Sequence, residues 1–201
     1  MRQLTLSLVV AAAFSAAAPA HANILLFTGA LSGANELPPN LSPGTGVAWV
    51  KIDDASLAME VSVTFAGLLG SVTASHIHCC TALPGVGNVG IATVTPTLTG
   101  FPSSVSAGSY NHIFDMNLAG SWNPGFITGH GGTTASAFAA LLTGLNAGDA
   151  YFNVHSTTNG GGEIRGFLQA VPEPSSAMLV LAALAGLAGL GWAGRRGRSA
   201  G

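Results

Sequence analysis

Leu57-Ala58-Met59-Glu60-Val61-Ser62-Val63-Thr64-Phe65 places large apolar side chains at every odd position and small or polar ones between them. A period of two is the mark of a strand with one face in a core and one in water. Working outward, Val47–Ile52, Val72–His78, Tyr110–Leu118, Tyr151–His155 and Ile164–Leu168 read as further strands. Gly, Pro, Asn and Ser punctuate the intervals, as antiparallel connections require. Thr133–Leu145 breaks the pattern: Phe138, Leu141, Leu142 and Leu145 recur at helical spacing, with Thr at the start and Gly148 beyond the end. The expectation is an all-β domain, a single antiparallel sandwich or barrel with one short helix.

The ends of the 201-residue chain differ in kind from this centre. Residues 1–22 carry Arg2, a chargeless Leu/Val/Ala run from Leu4 to Ala18, and Ala20-His21-Ala22 as a small-x-small site. That is the layout of a secretory signal cleaved after Ala22. Ser175–Gly194 carries no charge and is followed by Arg195, Arg196 and Arg198. As a helix it would reach about 30 Å, enough for a transmembrane span whose arginines stay on the cytoplasmic side. The two ends account for much of a mean hydropathy of +0.50 with only 7% charged residues.

Before the tail span stands Val171-Pro172-Glu173-Pro174-Ser175. Pro172-Glu173-Pro174, an apolar span and a terminal arginine cluster, in that order, resemble the PEP-CTERM sorting signal over residues 171–201. The resemblance implies an exosortase, a membrane transpeptidase-like enzyme, as processing partner. It also implies removal of the tail during Gram-negative export.

Residues 23–170 hold seven acids against two bases, Lys51 and Arg165, a formal charge of -5. A nucleic-acid groove needs clustered cations and is excluded. A cationic ligand or a neutral polymer surface is electrostatically easier.

Four ordered segments resemble the CHRD module of chordin and of many secreted bacterial proteins. They are Leu31-Ser32-Gly33-Ala34-Asn35-Glu36-Leu37-Pro38-Pro39, Thr73-Ala74-Ser75-His76-Ile77-His78, Ala150-Tyr151-Phe152-Asn153-Val154-His155-Ser156 and Gly162-Glu163-Ile164-Arg165-Gly166. The resemblance spans residues 23–170 and implies an Ig-like β-barrel or sandwich, but no established reaction. The chain departs from the family where Cys79-Cys80 replace the glycine that usually follows His-Ile-His.

His76 and His78, two apart on a strand, share a face, as do Asn153 and His155. A His-x-His pair with a third histidine from another strand meets the minimum for zinc or copper. The alternative is that these imidazoles hydrogen-bond to backbone and fix loops. Cys79 and Cys80 leave three outcomes open: a vicinal disulfide, thiolates that join His76, His78 and His155 around a soft metal, or crosslinks between molecules. Arg165 suggests a partly buried pair with Glu36 or Glu163. Gly85-Val86-Gly87-Asn88-Val89-Gly90 satisfies a G-x-G-x-x-G pattern. It follows Pro84 and opens no helix, so a dinucleotide site is rejected.

The expected function is therefore non-enzymatic. It is an exported cell-surface or extracellular-matrix-associated module that binds another surface protein or an exopolysaccharide. The second reading is a copper- or zinc-binding, or metal-dependent redox, protein using the His-x-His and Cys-Cys cluster.

Overall fold

The structure, a computed structural model, describes residues 23–172. The signal assigned to residues 1–22, its cleavage at Ala22, Glu173, Pro174 and the apolar run 175–194 lie outside the described residues. Among the described residues no helix is long and apolar enough to cross a membrane.

Eight strands build one sheet: β1 Ile24–Ser32, β2 Thr45–Asp53, β3 Ala58–Ala66, β4 Val72–His78, β5 Gly108–Asp115, β6 Tyr151–Ser156, β7 Ile164–Phe167 and β8 Gln169–Ala170. Their order is β4-β6-β7-β1-β2-β3-β5, with β8 paired to β1, and every pairing is antiparallel. The sheet curls into a half-barrel. The stretch before β5 bonds back toward β4, with Val72 N–H donating to the Val105 carbonyl (2.8 Å) and Ser104 N–H to the Val72 carbonyl (3.0 Å). This is the all-β architecture expected, with the strands in one continuous curved sheet.

The alternation in β3 governs its half of the sheet. Met59, Val61, Val63 and Phe65 are buried, and register sets Met59 opposite Ile52, Val61 opposite Val50 and Val63 opposite Ala48. Cross-strand pairs of this kind bury apolar area on one face and leave the other wet. Trp49, Lys51, Glu60 and Asn111 point outward, with Lys51 and Glu60 in an ion pair.

Two helices lie between β5 and β6: α1 Pro124–Gly129 and α2 Thr134–Ala147. Thr133 and Ser136 exchange bonds in a capping box at the start of α2, and Gly148 ends it in the left-handed conformation. Phe138, Leu141 and Leu145 of α2 enter the core. Gly144 faces the disulfide that joins Cys79 to Cys80, and a Cβ there would collide with both sulfurs.

Strand β1 and helix α1 are the main elements not expected. The whole of β1 lies in the middle of the sheet and joins its halves. Its Leu25-Leu26-Phe27 run does not alternate and directly follows the export signal, so it reads as apolar sequence without a period. The six-residue α1 depends on Asn123 accepting from Gly125 N–H, with proline in its first turn. The segment read as a strand from Tyr110 to Leu118 instead leaves the sheet after Asp115 and enters a short turn of 3₁₀ helix at Ala119–Ser121.

Candidate functional site: a histidine triad under three loops

On β4, β6 and β7 the face turned away from the core is buried as well. It carries His76 and His78 from β4, Tyr151, Asn153 and His155 from β6, and Arg165 from β7. Register places Asn153 opposite His76 on one side and Arg165 on the other, with Tyr151 opposite His78. His155 stands opposite Ala74 and so diagonally from His76.

Each imidazole has one nitrogen tied to a backbone carbonyl. His76 Nε2 lies 2.8 Å from the Pro96 carbonyl, His78 Nδ1 2.8 Å from Val89, and His155 Nδ1 2.9 Å from Gly160. A carbonyl only accepts, so these three nitrogens carry the protons. The partners assign the tautomers, leaving His76 Nδ1, His78 Nε2 and His155 Nε2 as lone-pair donors. One ligand nitrogen from each ring lies within 4.8 Å of the other two, and His76 Nδ1 is 3.4 Å from His155 Nε2.

Burial holds all three histidines below their ordinary value, to about 4 for His76 and for His78. The carbonyl partners oppose that shift without reversing it. At neutral pH the triad is therefore uncharged, and its lone pairs face one another with no proton between them. His78 Nε2 is buried without any partner. Facing lone pairs repel, and an unpartnered buried nitrogen costs about 1–3 kcal/mol. A cation between the three nitrogens relieves both. Zn–N bonds of about 2.0–2.1 Å put tetrahedral nitrogens about 3.3 Å apart, close to the His76–His155 separation of 3.4 Å, with the third nitrogen within 4.8 Å of both. The donor set fits a borderline transition metal.

The support of the triad extends to Arg165. The His78 ring stacks on Tyr151 at 4.7 Å, and the Arg165 guanidinium lies 4.7 Å from the centroid of the same ring. Arg165 donates to the carbonyls of Asn35 and Gly87 and to Asn88 Oδ1. Asn88 and Gly87 adjoin Val89, whose carbonyl holds His78, so the arginine anchors the loop that fixes this ligand.

Of the carboxylates proposed for Arg165, Glu36 is the one it meets, 3.9 Å from Nε. That contact is looser than a bidentate pair, and the hydrogen bonds of the guanidinium go to the loops instead. Burial raises the Glu36 carboxyl to about 7, and the charge of Arg165 and the Leu37 N–H recover only part of that shift. Gly162, at φ 135°, packs so closely on the Glu36 carboxylate that no side chain fits there. Glu163 has another task. Its oxygens accept from Ser42 Oγ and from the N–H groups of Leu69 and Gly70, fastening two loops. Burial pushes the Glu163 carboxyl up, but these bonds and the Ser156 hydroxyl hold it below its ordinary value.

The sulfurs of Cys79 and Cys80 do not join the triad. They are bonded to each other and face Gly144 of α2, and a disulfide offers no thiolate to a metal. His112 and His130 lie elsewhere, beside Phe114 and Phe126.

Several contributors carried no signal in the sequence. Pro96, Val89 and Gly160 act through backbone carbonyls, which any residue supplies. The Gly85–Gly90 segment, rejected as a phosphate loop, is the strap whose Gly87 and Val89 carbonyls hold Arg165 and His78. Asn153 was placed on the face of His155, and its burial next to His76 emerges only from the strand pairing.

The PEP-CTERM protein-sorting motif matches residues 170–196, which marks the chain as an exported precursor recognised by an exosortase. No curated protein and no solved structure matches the chain. The CHRD domain model matches residues 27–168, from the buried Phe27 of β1 to Leu168 beyond β7, and takes in the whole triad. This chain belongs to the CHRD domain family.

Proposed function

We propose that the protein is a non-enzymatic, cell-surface or matrix-associated binding module, delivered by exosortase-type sorting, that holds one zinc or copper ion on His76, His78 and His155. A single observation carries this reading: three neutral imidazoles, each oriented by a carbonyl on its far nitrogen, turn their remaining nitrogens toward one point. Outer hydrogen bonds of this kind are what fixes the tautomer and direction of metal-bound histidines. The ion would tie β4 to β6 and, through the carbonyls, to the loops around Val89, Pro96 and Gly160. It would thus rigidify the end of the domain, where a surface protein or an exopolysaccharide could be engaged.

The test is a titration of the exported protein with zinc and, separately, with copper by calorimetry, with His78→Ala as control. The reading requires one ion per chain and a loss of at least a hundredfold in affinity in the variant. Equal weak binding by both proteins would refute it.

A further inference from the structure

Two buried atoms without partners meet at the triad: His78 Nε2 and Asn153 Oδ1. Asn153 is 3% exposed, so no bulk water compensates its oxygen. It stands directly opposite His76 in the β4–β6 ladder, where facing Cβ atoms are about 4.5–5.5 Å apart. Its side chain lies close to the His78 ring. An asparagine can satisfy four hydrogen bonds. A buried one with a bare oxygen costs free energy that a leucine of similar volume would not.

We infer that Asn153 Oδ1 is the fourth donor of the metal centre, which makes it a three-nitrogen, one-oxygen site that selects a divalent ion such as Zn²⁺ over Cu⁺. This rests on the metal reading above and narrows it. An amide oxygen is a hard donor, suited to Zn²⁺ or Co²⁺ and poorly suited to the soft cuprous ion. Three histidines and one oxygen are also the donor count that four-coordinate zinc adopts. The opposite neighbour of Asn153, Arg165, is already engaged with Asn35, Gly87 and Asn88. The amide oxygen therefore takes no hydrogen bond from its arginine neighbour.

The experiment compares the exported wild-type protein with Asn153→Ala and Asn153→Asp, using Zn²⁺ affinity and the visible spectrum of bound Co²⁺. Asn153→Ala should weaken Zn²⁺ tenfold or more and change the intense four-coordinate cobalt bands, while Cu⁺ affinity stays within about twofold. Asn153→Asp keeps an oxygen and adds charge, so Zn²⁺ should bind at least as tightly as in wild type, with the cobalt bands kept. A residue that only orients His78 would not give that gain. Wild-type affinity and an unchanged cobalt spectrum in Asn153→Ala would overturn the inference and leave the triad standing. A wild-type protein that binds Cu⁺ but no Zn²⁺ would overturn the inference alone, and one that binds neither would overturn both.

Discussion

The two halves of one sheet turn the same outer face to different surroundings. On β2, β3 and β5 that face meets water, and its residues are an ordinary solvated set: Trp49, Lys51, Glu60, Ser62 and Asn111. On β4, β6 and β7 the same face is covered by loops and carries three histidines, Asn153 and Arg165. Polar side chains cost little in the first setting. In the second each needs a partner, because burial without one is penalised. Most have one. Among the described residues five buried side-chain polar atoms lack a partner, and two of them, on His78 and Asn153, belong to the covered face. The difference teaches where to look for function: at polar groups that the fold has removed from water and not satisfied.

That contrast can be broken by experiment. The largest effect should come from metal. At a Zn²⁺ concentration a thousandfold above its dissociation constant the domain should gain about 4 kcal/mol of stability, and a chelator should remove it. In His78→Ala, with affinity at least a hundredfold lower, the gain should fall to about 1.4 kcal/mol or less, as denaturant melts with and without Zn²⁺ would reveal.

Removing the anchor of the covered face comes next. Arg165→Met should cost about 2–4 kcal/mol, since it strips partners from Asn35, Gly87 and Asn88 and leaves Glu36 buried beside an apolar chain. Lys51→Met on the open face removes an exposed ion pair and should change stability by no more than about 0.5 kcal/mol. Equal costs in urea melts would erase the contrast.

Acid should act most strongly on the covered face, where the histidines are buried. His76 and His78 titrate near 6.5 unfolded and about 4 folded, so the unfolded chain takes up their protons first as pH falls. Their stabilising contribution is complete above pH 6.5 and is lost between 6.5 and 4, on the order of a few kcal/mol in the metal-free protein. Glu36 runs the other way: raised from 4.5 to about 7, it contributes below pH 4.5 and loses that contribution as pH rises through 7. Glu36→Gln should therefore gain on wild type between pH 5 and pH 8. A gap between the two proteins that does not change with pH would contradict the assignment.

The smallest effect concerns the disulfide against α2. Alanine is the better helix former by about 1 kcal/mol, yet its Cβ at position 144 meets both sulfurs. Gly144→Ala should thus destabilise by about 1–2 kcal/mol under oxidising conditions, measured by thermal melting.

The same contrast explains what could be read in advance. Where one face is wet, alternation survives in the sequence, and β3 was legible from Met59 to Phe65. On β6 the strand was legible too, with Asn153 and His155 on one face, but nothing in its sequence marked that polar face as buried. β1 stayed hidden because its apolar run continues the character of the export signal. Gly144, which packs against the disulfide, and the carbonyls of Pro96, Val89 and Gly160 come from distant segments or carry no side-chain mark. Chain folding, not local pattern, assembles that part of the site. The loose Glu36–Arg165 contact was legible as charge chemistry, but its geometry depends on how two loops close over the arginine.

Elemental analysis of the protein purified from its native envelope, beside His78→Ala treated identically, tests the central claim most directly. The account predicts about one zinc or copper per chain in the first and none in the second. Protein free of transition metal, or equal metal in both, would contradict it.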